Sequence, residues 1–250
     1  MQFKNKVAVV TGAGGGIGEG YAMRLASEGA AVAIADIDEE GGERVAKAIN
    51  AAGGNAIFYH CDVSSPSDAT ALAQAVEAHL GGADFLVNNA SIFGKIEYIP
   101  LMDVDLDYYL KVQSVNMNGA LIMTRAIAPL IERRGGGAIV NQTSTAAWVK
   151  NGGYYGVFKL AMNGLTTNLA MELGPRNIRV NAIAPGPVGT PAMLATVDPD
   201  MIEGIIQGGA VKRIGRVEDM ADACVFLLSD QSSWISGQIL AVDGGFIMRA

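Results

Sequence analysis

Two cysteines, Cys61 and Cys224, are too few for a disulfide framework in a chain of 250 residues, which fits a reducing, cytoplasmic setting. Histidine is as scarce. His60 and His79 stand apart and belong to no ligand cluster, so no metal is expected. Charged residues make up 17% of the chain, and 25 acidic residues outnumber 18 basic ones for a formal net charge of −7. That balance disfavours a broad nucleic-acid-binding surface. Long apolar runs are missing too. The stretch Ala30–Ala35 (AAVAIA) falls far short of the ~20 residues needed to span a bilayer. The opening MQFKNKVAVVTG has no apolar signal core and enters a strand almost at once, so neither a membrane location nor secretion is expected. Linkers, low-complexity runs and internal repeats are also lacking. What is present in quantity is apolar residues, at 50%, which excludes a disordered chain. Glycine is abundant as well, 32 residues without a collagen period, and marks tight turns and close backbone approaches.

Short apolar runs alternate with longer helical stretches. The strand candidates are Val7–Thr11, Ala31–Ala35, Ala56–Cys61, Phe85–Asn88, Ala138–Thr143, Arg179–Ala184 and Ile239–Val242. Helical candidates lie near Ile17–Glu28, Glu39–Ala52, Pro66–Leu80, Asp105–Arg133, Tyr154–Leu173 and Val217–Ser229. The strands are rich in Val, Ile and Ala with little polar alternation, as strands covered on both faces are. Alternating β and α elements of this kind predict an α/β fold, one doubly wound domain of about seven parallel strands with helices on both faces. Residues 186–216, rich in Gly, Pro and Met, carry no clean period. A segment that long between a strand and a helix reads as a functional lid, about 186–213.

The first strand runs into TGAGGGIG, Thr11–Gly18, and then a helix. A tight turn after a strand needs a residue without Cβ, and a pyrophosphate must reach the N–H groups of a helix start, where the dipole favours an anion. Gly12, Gly16 and Gly18, with Ile17 between the last two, meet both needs. The last glycine lets the helix pack close to the strand. At the end of the second strand, in AIADID, Asp36 can accept two hydrogen bonds from ribose hydroxyls and repel a 2′-phosphate, with Ile37 beside it. No Arg or Lys lies in Ala13–Gly16 or directly after Asp36, so NAD is favoured over NADP. Asp38 reads as a helix cap for Glu39 and Glu40. Two more strand ends point to the same edge: Asp62 and Val63 after the third strand, and Asn89, Ala90 and Ser91 after the fourth. In an open α/β sheet, ligands bind beyond the carboxyl ends of the strands.

The sharpest chemical feature is Tyr155-Gly-Val-Phe-Lys159. On a helix, residues four apart share a face. A phenol titrates near 10 and is a poor base at neutral pH, but a neighbouring cation lowers that value by ~1–3 units. Tyr155 can then exchange a proton with an alcohol or carbonyl oxygen, while Lys159 is placed to bond a ribose hydroxyl. Tyr154, five residues from Lys159, points elsewhere on a 3.6-residue helix. Upstream, Ser144 in AIVNQTST stands at a strand end where a hydroxyl can polarise a substrate oxygen, with Thr143 and Thr145 as neighbours of the same chemistry. Asn116, in an otherwise apolar stretch, is either a structural bridge or part of a proton path to Lys159, since a buried Asn demands partners.

Taken in order, TGAGGGIG, the acid in ADID, CDV, NNAS, VNMNG, IVNQTS, YYGVFK, IRVNAIAPGPVGTP and LAVDGG resemble the classical short-chain dehydrogenase/reductases over essentially the whole chain. The resemblance implies a single Rossmann-type domain and nicotinamide-dependent oxidation or reduction of an alcohol or carbonyl. It implies a catalytic tetrad of Asn116, Ser144, Tyr155 and Lys159, and a nicotinamide segment of Pro185, Gly186, Val188 and Thr190. It also implies a homotetramer. Two departures stand out: Ser91 replaces the usual glycine of NNAG, and the stretch from Ser144 to Tyr155 is about two residues short. Residues 112–131 support oligomerisation independently, because their apolar side chains cover more of a helix than one sheet face can bury.

The substrate wall is expected from residues 91–95, 146–153 and the lid. It includes Ser91, Phe93, Trp148 and Met193, with Gln142, Lys95 and Lys150 as polar readers and Leu194, Met201 and Ile202 from the lid. The expected activity is NAD(H)-dependent interconversion of a secondary alcohol and a ketone on a mostly hydrophobic small molecule. The competing reading is a non-catalytic, redox-sensing NAD module, which would keep the glycines without needing the tetrad. An enoyl reductase would need wider Tyr–Lys spacing, and a sugar-nucleotide epimerase would need a further domain.

Overall fold

The computed structural model describes residues 1–94, 96–97 and 99–248. Lys95, expected at the substrate wall, lies outside them. Seven parallel strands form one sheet: β1 (Val7–Thr11), β2 (Ala31–Asp36), β3 (Asn55–His60), β4 (Phe85–Asn88), β5 (Gly137–Gln142), β6 (Ile178–Pro185) and β7 (Ile239–Val242). Their order is β3-β2-β1-β4-β5-β6-β7. The order reverses between β1 and β4, and that is where an α/β sheet opens a crevice at its carboxyl edge.

The strands lack polar alternation because both faces are covered. From β1, Ala8 and Val10 enter one core with Tyr21, Leu25, Val45, Ile49, Met220 and Leu228. Val7 and Val9 enter the other with Leu72, Val76, Met123, Ile127, Leu169 and Leu173. The first core lies under α1 (Gly16–Ser27), α2 (Glu39–Ala51) and α9 (Val217–Leu228); the second lies under α3 (Pro66–Leu80), α5 (Gly119–Arg133) and α6 (Gly153–Leu173). At the amino edge, buried Asp84 accepts from Lys6 Nζ at 3.0 Å, Val7 N at 2.8 Å and Arg134 Nε at 2.9 Å. That carboxylate ties β1, β4 and the end of α5 together.

The helix expected over Asp105–Arg133 is interrupted. It consists of α4 (Leu106–Gln113), a π-helical turn at Ser114–Asn118 and α5. An apolar period does not report the extra residue of a π turn, which is why the pattern reads as continuous. Two close contacts accompany the break. Gly119 packs where a Cβ would stand 2.7 Å from Val63 Cγ2, and Asn116 is turned inward to bond Ile92. Residues 186–216, read as aperiodic, contain α7 (Pro191–Thr196) and α8 (Pro199–Gly208). Each begins with proline behind a capping residue: Thr190 accepts from Met193 N, and Asp198 from Asp200 N. Six and ten residues are too short for a hydrophobic period to stand out.

Candidate active site

The first helix starts at Gly16 with no side-chain cap, so its leading N–H groups face the crevice unspent. Gly12 has φ +62°, and a Cβ there would lie 2.7 Å from Ala90 Cα. At Gly18 a Cβ would lie 2.0 Å from Gly12 O. The turn therefore accepts only glycine at these places and presents bare backbone. Asp36 Oδ2 accepts from Gly14 N at 2.7 Å, and Oδ1 accepts from Asp38 N at 2.9 Å. Each oxygen keeps a lone pair for a further donor. Asp38 caps α2, accepting from Gly41 N at 3.1 Å. Asp62 accepts from Ser64 N and Ser64 Oγ at 2.8 and 2.7 Å. Its neighbour Cys61 is buried, which pushes its thiol up to about 12 and leaves it inert.

The loop after β4 is pinned at each step. Asn89 N and Ala90 N donate to Thr11 Oγ1 at 3.0 and 3.1 Å, and Asn89 Nδ2 donates to Thr11 O and Gly12 O at 2.9 Å. Asn116 then grips Ile92 with both ends of its amide: Ile92 N donates to Oδ1 at 2.7 Å and Nδ2 donates to Ile92 O at 3.0 Å. Ser91, between these anchors, has a buried hydroxyl oxygen without a partner. It needs no left-handed backbone, since Asn5 and Asn177 are the non-glycine residues with positive φ among the described ones.

Adjacent tyrosines of α6 part company. Tyr154 is buried against Tyr108, Tyr109 and Phe158, with ring centroids 6.2 to 6.3 Å away, and its hydroxyl donates to Glu97 O. Burial raises its pKa. Tyr155 faces the cleft, its ring 5.6 Å from that of Phe93. Lys159 Nζ lies 5.5 Å from the Tyr155 ring centroid and donates to Gln142 O at 3.0 Å. The lysine is 2% exposed, and burial brings its pKa down from 10.5 to about 8.

Ser144 and Thr143 line the same cleft. Ser144 Oγ accepts from Ala146 N at 3.1 Å and caps a short 3₁₀ turn, which leaves its hydrogen free to donate. Thr145 Oγ1 instead donates to Pro185 O at 3.1 Å, under the cleft floor. Gln142 Oε1 accepts from the hydroxyl of buried Tyr21 at 2.6 Å; what Gln142 gives the lysine is its main-chain carbonyl.

One cleft of about 650 Å³ gathers Gly12, Gly16, Ile17, Gly18, Asp36, Ile37, Asp62, Val63, Asn89, Ala90, Ser91, Phe93, Gln142, Ser144, Tyr155, Lys159, Pro185, Gly186, Val188, Thr190 and Met193. Several residues expected at the site stand apart from this lining, Ile202, Leu194, Met201 and Lys150 of the substrate wall among them. Trp148 is not among the lining residues, and Asn116 borders a separate cavity of about 10 Å³ shared with Asn88, Gln142 and Lys159. In the lid, Met193, Val197 and Ile202 pack with Phe93, whereas Leu194 and Met201 are exposed, as is Lys150. Sequence reasoning missed Thr11, whose hydroxyl at the end of β1 was a readable signal. It also missed Lys111, which lines the cleft, and Arg44, whose Nη2 donates to Gly14 O at 3.1 Å. No spacing rule places Lys111 in the cleft or Arg44 at the glycine turn.

The bare helix start, the side-chain-free turn and the ribose-ready carboxylate fit an extended dinucleotide, and the cleft's far end adds a phenol, an ammonium and a hydroxyl. A family model described as Enoyl-(Acyl carrier protein) reductase matches residues 12–247. The chain is 49% identical to an uncharacterized oxidoreductase of Mycobacterium tuberculosis over 99% of this chain and 100% of the relative. It is 38% identical to the 7alpha-hydroxysteroid dehydrogenase of Escherichia coli over 100% of this chain and 97% of that one. A solved 7 alpha-hydroxysteroid dehydrogenase, complexed with NADH and 7-oxo glycochenodeoxycholic acid, superposes with a TM-score of 0.93 at 36% identity, covering 99% of this chain and 96% of its own.

Proposed function

The chain belongs to the short-chain dehydrogenase/reductase family of oxidoreductases, and from that premise we propose that it interconverts a secondary alcohol and a ketone on a hydrophobic, ring-bearing small molecule with NAD(H). The observation that carries the reading is the continuity of one cleft from Asp36 and the glycine turn to Tyr155, Lys159 and Ser144. A nicotinamide dinucleotide held along it supplies the hydride donor or acceptor. Gly12, Gly16, Ile17 and Gly18 would cradle its pyrophosphate, Asp36 and Ile37 its adenosine ribose, Asp62, Val63, Asn89 and Ala90 its adenine side, and Pro185, Gly186, Val188 and Thr190 its nicotinamide.

The side chains divide the proton work. Ser144 donates a hydrogen bond to the substrate oxygen and orients it. Tyr155 takes the hydroxyl proton in oxidation and returns it in reduction. Lys159, positively charged below about pH 8, favours the phenolate and has donors to spare for a ribose hydroxyl. Asn116 holds the wall through Ile92 and borders the cavity of about 10 Å³ beside Lys159. A cavity of that size takes one water, which would pass the proton on from the lysine. Ser91, Phe93 and Met193 would form the substrate wall under the 186–213 lid.

The family's hydroxysteroid member supports a rigid apolar frame as substrate, as do Ile92, Phe93 and Met193 around the chemical end. The four-residue Tyr–Lys spacing sets aside enoyl reduction. Exposed apolar side chains on α4, α5 and α6 (Leu106, Leu110, Leu121, Val157, Leu160) and near β7 (Phe226, Leu240 and Trp234, which is 99% exposed) support a homotetramer. Among the described residues, no helix is long and apolar enough to cross a membrane. A panel of secondary alcohols and ketones, hydroxysteroids included, followed by NADH absorbance tests the proposal. Turnover restricted to small charged compounds, or a preference for NADPH, would overturn it.

A further inference from the structure

Resting on the dinucleotide reading above, we propose that Arg44 is a 2′-phosphate ligand held out of use by Glu19, and that this pair sets the preference for NADH together with Asp36. The glycine turn carries no charge of its own, but the fold brings Arg44 to it from α2. Arg44 Nη2 donates to Gly14 O at 3.1 Å, and the N–H of that same glycine is bonded by Asp36 at 2.7 Å. The guanidinium therefore sits one residue from the carboxylate that would hold the ribose hydroxyls. An arginine there is the side chain best shaped to take a phosphate with two parallel bonds.

Both of its Nη groups are already engaged by one carboxylate. Nη1 donates to Glu19 Oε1 at 2.7 Å and Nη2 to Glu19 Oε2 at 2.8 Å. Lys47, the next cation along α2, is tied to Glu43 at 2.7 Å. Asp38, Glu39, Glu40 and Glu43 complete an acidic rim around Ile37. A phosphate arriving at the 2′ position meets carboxylates and two cations that are already matched. Specificity of this kind comes from withholding a partner from the wrong ligand rather than from added contacts to the right one. The pair lies at the surface, with Glu19 31% and Arg44 55% exposed at the side chain, so releasing it does not open the core.

The test is the ratio of kcat/KM for NADPH to that for NADH, measured at low ionic strength. Wild-type protein should favour NADH; a wild-type preference for NADPH removes the premise itself. Given the NADH preference, Glu19→Gln should raise the ratio fivefold or more. The gain should vanish in Glu19→Gln/Arg44→Gln and persist in Glu19→Gln/Arg44→Lys, which keeps a cation. No rise in Glu19→Gln, or an equal rise in the Arg44→Gln double variant, would refute the role of Arg44.

Discussion

Replacing Lys159 by methionine should make the folded chain less dependent on pH, and the size of the effect follows from burial. An ammonium that ordinarily titrates at 10.5 is brought to about 8 by desolvation in the fold. The difference of about 2.5 units, at ~1.4 kcal/mol each, is a penalty of about 3 kcal/mol for burying the charge. Below pH 8 both folded and unfolded chains hold the proton, and the penalty is fully present. Between pH 8 and 10.5 the folded chain releases a proton that the unfolded chain retains. The unfolded state then binds more protons, so stability rises with pH across that window. Unfolding by urea, without cofactor and at equal protomer concentration, measures it. The comparison is best made between Tyr155→Phe and Tyr155→Phe/Lys159→Met, so that the phenol contributes to neither arm. The lysine-bearing protein should gain about 2 kcal/mol on the methionine variant from pH 7 to 9.5. The Gln142 carbonyl left unpaired in the variant costs roughly 1–3 kcal/mol, but equally at every pH. A stability difference that stays flat over that range would mean that Lys159 is not desolvated, and the account of its charge would fail with it.

Three further outcomes are expected. Tyr155→Phe should retain NADH binding, read by fluorescence titration, while kcat falls by about 10²–10⁴; unchanged turnover would remove the acid–base role. Asp36→Ala should raise KM for NAD by about a hundredfold or more with little change in kcat, since hydrogen bonds to a charged acceptor are worth ~1.5–3 kcal/mol each and two to the ribose would be lost. Asp84→Ala should lower stability by about 1–3 kcal/mol in a denaturant titration, because it strands the buried Val7 N–H, while Lys6 and Arg134, 44% and 29% exposed at the side chain, turn to solvent. A loss under 1 kcal/mol would contradict that.

The doubly wound sheet was legible because its cause is compositional. Strands covered on both faces must be apolar along their length, and β1, β2 and β5 are until their carboxyl ends, where Thr11, Asp36, Asn141 and Gln142 stand. The placement of the glycine turn and of Tyr155 and Lys159 in one cleft was legible because it depends on spacing along the chain. What escaped depends on position in space. The π turn at Ser114–Asn118 keeps its apolar stripe while its ladder slips by one residue. Gln142, a polar residue at a strand end, spends its side chain on Tyr21 from the far layer. Trp148 reads as a wall residue from its loop, yet it is not among those lining the cleft. Arg44 reaches the turn only because α2 lies against it.

Tyr154 has a consequence for its neighbour that no single-site view conveys. Successive residues on a helix differ by about 100° in direction, so the azimuth of α6 decides which tyrosine faces the cleft. That azimuth is keyed by a side chain that performs no chemistry. With its ring wedged among Tyr108, Tyr109 and Phe158 and its hydroxyl latched to Glu97, Tyr154 acts as the detent that stops the helix from rolling. Damage to this aromatic latch would surface as a blunted catalyst in a protein that still folds and still takes up its coenzyme.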